Sequence, residues 1–492
     1  VTAATHILDY ALWPTSPSLH HAQSILWFGA AVLLVGLTYR EVIGPTAVSG
    51  LAVILFAIED AHSMNIGWLA NRNATIALVF GLMAMLAHIH WRKDHSLRWL
   101  ALALVASSVA LLAGEIAIGV FAYIVAWQMT MDDAGWPRRL GALFPYAALV
   151  IGWRITYHSF GYGCTGSGLY LDPVNQPAAF AGALLERWPV MAGGLWSQVN
   201  IDVWAIFGRP GQLALSALGL GVCGFMVLLL ARLVRRYPVA RFWALGATLA
   251  LVPVAAAFPM NRLLLAAGIG VFGLLAMLAG DVGLLGLETT DRRRWTRWSA
   301  KTLLALHGPV AILMLVAGIL FLPAFNSLFT AGARLAPRDS ALPDQCLIFV
   351  NGHEFPCAYT YIIRRIDDDA APNRVAILGP MTSDSIVTRR DERTLEISTR
   401  NGWFQNSLDR LMRTADSRFE IGQHIRTADF DATIIRITDE GRPRTVAFEF
   451  AENLETGPYR FVSWRRGGLA SWPILQVGET SVLVANPLYT LD

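Results

Sequence analysis

Charge is scarce in this sequence. Asp, Glu, Lys and Arg make up 15% of its 492 residues, where soluble globular chains carry about 25%. Hydrophobic residues make up 54%. These proportions exclude a soluble globular protein, a disordered chain and a coiled coil. Cysteine is rare as well. Cys164, Cys223, Cys346 and Cys357 contain no CxxC pair, which leaves zinc and thioredoxin-type readings without support and excludes a disulfide-dense scaffold. Lysine is limited to Lys93 and Lys301, and 39 basic residues against 36 acidic ones give a net charge of +3. That balance argues against nucleic acid as a partner. The chain opens on Val1 with no basic segment followed by a short apolar run and a cleavage site, so no signal peptide is visible.

What the sequence has instead is apolar runs. Residues 1–330 read as a polytopic membrane domain with about ten spans, near 22–39, 45–58, 75–91, 98–114, 116–130, 140–158, 211–232, 242–258, 263–286 and 302–326. A span takes about 20 apolar residues, and 45–58 is short by that measure. Alternate loops, from Arg40 to Lys301, carry fifteen Lys and Arg, against five on the other side: Arg72, Arg154, Arg187, Arg209 and Arg262. Cytoplasmic loops hold the basic excess. The N-terminus and the loops 59–74, 159–210 and 259–262 are therefore expected outside the cytoplasm, as is everything after the last span. This is the orientation of a bacterial inner-membrane protein. A start outside the membrane without a leader leads us to expect a further span ahead of Val1.

Residues 335–492 change character. Short β-rich runs at 346–350, 374–378, 385–389, 394–398, 433–437, 445–450, 459–464 and 481–484 alternate with turn residues such as Asp439-Glu440-Gly441. This predicts a mostly-β extracytoplasmic domain, a plain sandwich or barrel, with one helix at 404–414. Cys346 and Cys357 fall in it. Outside the cytoplasm a disulfide is permitted, and two buried core thiols are the alternative.

Three segments on the outer side concentrate chemistry. Glu59-Asp60-Ala61-His62 precedes Asn71-Arg72. Adjacent carboxylates beside a His and an Arg suit a general base, a divalent-metal site or a phosphate site, and a solvated helix-end loop is the plainer reading. Glu115 is the sole charge in a run of about thirty apolar residues, and ionisable groups at membrane depth tend to be functional. The third segment holds Arg154, His158, Tyr162, Tyr170 and Asp172 around a glycine-rich stretch. Gly161 to Gly166 formally matches GxGxxG, but the strand and helix of a dinucleotide unit are missing. A loop offering Tyr and His to a sugar or phosphate, or a tight interfacial turn, fits better. Residues 174–200 read as an interfacial helix, and Arg262 as a lone external cation that neutralises a lipid phosphate or anchors a helix end. His88, His90 and His95 read as interface residues.

The stretch Phe56–Phe80, with Glu59-Asp-Ala-His62 and Asn71-Arg72 ahead of an apolar helix, resembles the second external loop of multispan GT-C glycosyltransferases, whose pattern is HPxHxE followed by (G/N)R. Leu111-Leu-Ala-Gly-Glu115 resembles their SKE turn. The resemblance implies sugar transfer from a polyprenyl-phosphate donor on the external face to a protein, lipid or glycan acceptor. It places His62 at the second His, Arg72 at the Arg and Glu115 at the Glu, with Glu59-Asp60 replacing HP and Met64-Asn65 standing where the Glu would fall. The family's main acid lies in the first external loop, and only Asp9 lies in that region here. The expected catalytic set is Glu59, Asp60, His62 and Glu115. The expected substrate-binding set is Arg72, Arg154, His158, Tyr162, Tyr170, Asp172 and Arg262. The expected ligands are a lipid-linked sugar donor, membrane lipids and a divalent metal. The alternative function is a non-catalytic subunit that holds membrane-complex partners through its β domain. No internal repeat or matched pair of broken helices points to a transporter.

Overall fold

The computed structural model describes residues 1–163, 170–286, 293–405, 409, 413, 417–466 and 468–485. The chain forms two compact units, the first reaching Ile319 and the second beginning at Leu320.

The first unit is helical: α1 (Thr2–Leu12), α2 (Pro17–Ile43), α3 (Ala47–Ile58), α4 (Ser63–Gly67), α5 (Arg72–Asp94), α6 (Leu97–Ala113), α7 (Ala117–Thr130) and α8 (Trp136–Ser159). It continues with α9 (Pro177–Ser197), α10 (Arg209–Arg236), α11 (Pro238–Val254), α12 (Leu265–Asp281), α13 (Arg294–Ala305) and the start of α14 (Ala311–Leu335), whose residues from Leu320 on belong to the second unit. All ten apolar runs are helical, but six helices among the described residues are by themselves long and apolar enough to cross a membrane. A seventh crossing follows if α3 and the bent segment after it count as one, while α6, α7 and α11 are shorter apolar helices.

α5 and α12 form the centre, and small residues let backbones meet there, as is usual where helix association has no water to expel. A Cβ on Gly246 would lie 2.3 Å from the Tyr123 ring, and one on Gly270 would lie 2.4 Å from the Trp243 carbonyl. The Tyr123 hydroxyl donates to the Ala266 carbonyl at 2.9 Å and accepts from the Gly270 amide at 2.8 Å. These are the two groups that an i→i−4 bond of α12 joins, so the phenol is built into that helix's ladder. The predicted interfacial helix exists as α9, but its second half is buried from Pro189 to Trp196. The cause is local: a Cβ on Gly193 would come within 2.5 Å of Gly219 in α10, so two glycines draw α9 into the bundle. His88 is likewise no interface residue. It is fully buried, 2.9 Å from the Tyr146 hydroxyl and 2.7 Å from Gln128 Nε2.

The second unit contains β1 (Cys346–Gly352), α15 (Glu354–Ala358), α16 (Thr360–Ile366), β2 (Arg374–Pro380), β3 (Ser385–Arg389), β4 (Thr394–Thr399), β5 (His424–Arg426), β6 (Phe430–Ile437), β7 (Pro443–Phe450), β8 (Tyr459–Arg465), β9 (Gly468–Ser471) and β10 (Thr480–Leu483). Every predicted strand is present. The arrangement differs from a plain antiparallel sandwich. A four-stranded sheet has the order β2-β1-β8-β9, with β1 parallel to both β2 and β8, and a six-stranded antiparallel sheet has the order β10-β3-β4-β7-β6-β5. β1 is buried at every position, as a central parallel strand is when both its faces are covered. The predicted helix at 404–414 falls largely outside the described residues.

The four-stranded sheet also decides the disulfide question. Cys346 packs with Ile348 and Val350 on the face shared with the six-stranded sheet, while Cys357 packs with Leu347 and Phe349 on the opposite face. No disulfide joins them. The Trp464 indole N–H donates to Cys357 Sγ at 3.2 Å, and burial, with Asp429 beside it, pushes the Cys346 thiol up to about 12. Alkylation of the unfolded, unreduced chain should therefore modify both Cys346 and Cys357. Mass spectrometry showing either one protected until reductant is added would contradict this arrangement.

Candidate functional site

The helical unit gathers its polar side chains where two helices break. α3 ends after twelve residues at Glu59, where the chain bends by 49° into a 3-10 turn and α4. Between α13 and α14 the backbone widens into a π-helical turn, Leu306–Val310, holding Pro309. Proline offers no N–H to the ladder, and π turns recur at functional positions. These two breaks bring Glu59 and His307 together. His307 Nδ1 lies 3.0 Å from Glu59 Oε2, and both side chains are at most 2% exposed. Gln198, in the left-handed conformation just past α9, places Nε2 2.9 and 2.8 Å from the two Glu59 oxygens and 2.6 Å from His307 Nδ1. His307 Nε2 faces the Trp196 carbonyl at 3.4 Å. Twelve residues of α3 and the rise of α13 from Arg294 each cover about 18–20 Å at 1.5 Å per residue, of a hydrocarbon core about 30 Å thick. The pair thus sits within the apolar depth of the bundle.

Arg72 is the hub of a second cluster. Its guanidinium lies 2.6 Å from Asp9 Oδ2, with both side chains fully buried. It also donates to Ser24 Oγ at 2.9 Å, to the His20 carbonyl at 2.7 Å, to Thr5 Oγ1 at 3.3 Å and to Gln23 Oε1. These partners come from α1 and α2. Arg72, expected to bind substrate, is thus buried and engaged by the protein's own acceptors. His62 is enclosed as well. It is fully buried against Phe28, Phe56 and Phe272, with Nδ1 2.9 Å from the Phe56 carbonyl. Its Nε2 is buried without a partner among the described residues.

A third cluster joins Glu115, Arg154, Tyr170 and Asp172. Arg154 pairs with Asp172, and Glu115 acts on the Tyr170 phenol electrostatically. Burial, then Glu115 and Asp172, push the Tyr170 phenol up to about 12. Partial burial works against the Asp172 carboxylate, but the Val174 and Asn175 amides and Arg154 outweigh it and hold its pKa below the usual 3.8. The loop is tied down by the Leu171 amide, which donates to the Ala256 carbonyl at 2.8 Å. His158 and Tyr162 do not join the group. Both are exposed, and the Tyr162 ring lies tilted against Tyr157 and edge-on to Phe160.

The fourth cluster surrounds Arg262, which lies 5.0 Å over the Trp68 ring and donates to Asn71 Oδ1 at 3.2 Å. Asn65 Nδ2 donates to the Arg262 carbonyl at 3.1 Å. The 3-10 turns Asp60–His62 and Asn261–Leu264 pack on each other. Here Asp60 Oδ1, Asn65 Oδ1, Asn71 Nδ2 and Arg262 Nε are buried without a partner among the described residues. Arg262 makes no direct ion pair with a described residue, but the Asp202 carboxylate, which accepts from the Asn261 amide at 2.8 Å, acts on it electrostatically.

The expected divalent metal finds no ligand set: among the described residues no three His, Cys, Asp or Glu side chains are grouped to hold one. The glycine-rich stretch 164–169 lies outside the described residues. Sequence reasoning missed His307 and Gln198. His307 is the sole ionisable residue between Lys301 and Arg334, the same signal that singled out Glu115. Comparison with protein families, with curated proteins and with solved structures finds no match, so the geometry alone carries the functional argument.

Two outcomes are expected. Arg72→Ala or Asp9→Ala leaves a buried charge unpaired and should lower unfolding stability by about 3–5 kcal/mol, seen as a lower melting temperature in detergent. Because the Asp172 pKa is depressed in the folded chain, its contribution is fully present above pH 3.8 and lost as pH falls below it. Hydrogen-exchange protection of the Val174 and Asn175 amides, corrected for intrinsic rates, should fall over that range and should already be reduced in Asp172→Asn.

Proposed function

We propose that the helical unit binds the phosphate of a lipid-linked substrate at Arg262 and transfers a sugar from a polyprenyl-phosphate donor, as a GT-C-like membrane glycosyltransferase. The observation that carries this reading is the half-buried Arg262 guanidinium, which makes no direct ion pair, Asp202 acting on it only from beyond contact, and sits among Asn65, Asn71 and Asp60 with unpartnered polar atoms. Buried polar groups are normally satisfied, and a cation flanked by amides is suited to a phosphate oxygen. Asp60 is the acid on the neighbouring turn and takes the part of general base. Glu115, with Tyr170, is the second acidic group of the site, and Arg154 with Asp172 shapes its rim. In this reading the arginine-rich loops face the cytoplasm of a bacterial inner membrane, the bundle crosses it about ten times, and residues 335–492 lie outside.

A second reading has its own support. Arg72 and Glu59 are closed off by Asp9, His307 and Gln198, as suits a structural membrane subunit that engages partners through its β domain.

The test is release of polyprenyl phosphate from a polyprenyl-phosphate sugar by the purified chain in nanodiscs, with and without a membrane extract as acceptor source. Release is expected, with Asp60→Asn slowing it about a hundredfold. Arg262→Gln should weaken donor binding, and Arg262→Lys should restore part of it. No donor binding by the folded chain, together with co-purification of a stoichiometric partner, would establish the subunit reading instead.

A further inference from the structure

A cavity of about 380 Å³ opens between α9, α10, α11 and α12. Its floor is core: Met226 is 4% exposed, Leu251 3%, Val271 3% and Leu274 3%. Its lining is almost wholly apolar, with Trp188 and Trp196 on α9 and Arg235 on α10. Along α10 it runs from Cys223 to Arg235. Twelve residues at 1.5 Å make that about 18 Å, close to one leaflet's share of a hydrocarbon core about 30 Å thick.

Interiors pack to the density of organic crystals. A space of this size leaves many lining atoms without contacts, and apolar walls give water nothing to bond. The occupant must therefore be apolar. Charge identifies its other end. Arg235 is exposed at the mouth and makes no ion pair or hydrogen bond with a described residue, and Arg236 follows it, set over the Tyr237 ring at 5.2 Å. An apolar slot one leaflet deep with a free cation at its rim matches one acyl chain and the phosphate of one lipid.

We propose that this groove is a specific site for an anionic phospholipid, drawn from the leaflet at the arginine-rich end of the bundle. One acyl chain lies against Trp188, Met226 and Leu274, and the headgroup phosphate lies on Arg235. The site is separate from the cluster at Arg262 and does not depend on the sugar-transfer reading.

The full chain, purified in mild detergent and examined by native mass spectrometry after exposure to mixed phosphatidylglycerol and phosphatidylcholine, tests this. One phosphatidylglycerol per chain should survive delipidation. Arg235→Gln should keep a bound lipid but reduce the preference for phosphatidylglycerol about fivefold, the effect of one cation near an anionic lipid surface. Ala231→Phe, which fills the groove from its mouth, should abolish retention. Ala244→Phe provides a second filling variant on α11 if the first does not fold. Equal retention in the filled and unfilled chains would overturn the proposal. So would a folded wild-type chain that keeps no lipid, or a dimer that takes the lipid's place.

Discussion

A charge inside an apolar bundle has to be answered by the protein itself, because lipid offers no hydrogen bonds. Arg72 shows what that requirement does to a fold. Its guanidinium takes Asp9 from α1, and Ser24 and the His20 carbonyl from α2. The short first helix makes few other contacts with the bundle, so its place is set mainly by this one cation. α1 serves as the counter-charge of α5, and its position follows from electrostatics more than from packing.

The same requirement operates at the two broken helices. Glu59 and His307 each stand where a helix is interrupted. The break after Ile58 and the π turn at Leu306–Val310 occur together, and Gln198 closes the space between them. Irregular backbone at such depth is tolerated where protein surrounds it. A pair of this kind is weak support for stability, since desolvation offsets much of the attraction. Its persistence in so apolar a chain is better understood through what the two breaks permit, namely a gathering of loops with Asp60, Asn65, Asn71 and Arg262 beside them.

The helical character of the first unit and the strands of the second were legible because periodicity and composition are local properties. The number of crossings was less so. Apolar runs announce helices, but α6, α7 and α11 are too short for their length alone to decide a crossing. The site divided along the same line. Glu115 and Arg262 were visible as isolated charges, and the structure gives each a group of polar neighbours. His62 and Arg72 carried the right letters at the right spacing, and burial removed both from solvent. No local pattern tells a histidine held by three aromatic rings from one facing a substrate. His307 met the isolated-charge criterion and went unnoticed. Gln198 carries no charge, and nothing in its own neighbourhood of sequence points to Glu59.

The placement of β1 bears on how the chain is made. It sits at the centre of its sheet, with β2 on one side and β8 on the other. The contact between Asn351 and Trp464 spans 113 residues. Pairings over such distances in sequence form slowly, because the intervening loop must close before the contact rewards it. During synthesis, β1 can pair with β2 soon after both emerge, but its other edge stays open until β8 is made. For that interval a buried, hydrophobic strand has an unpaired side, the condition under which strands find the wrong neighbour. The second unit therefore completes its core only after β8 has been made, more than a hundred residues after β1.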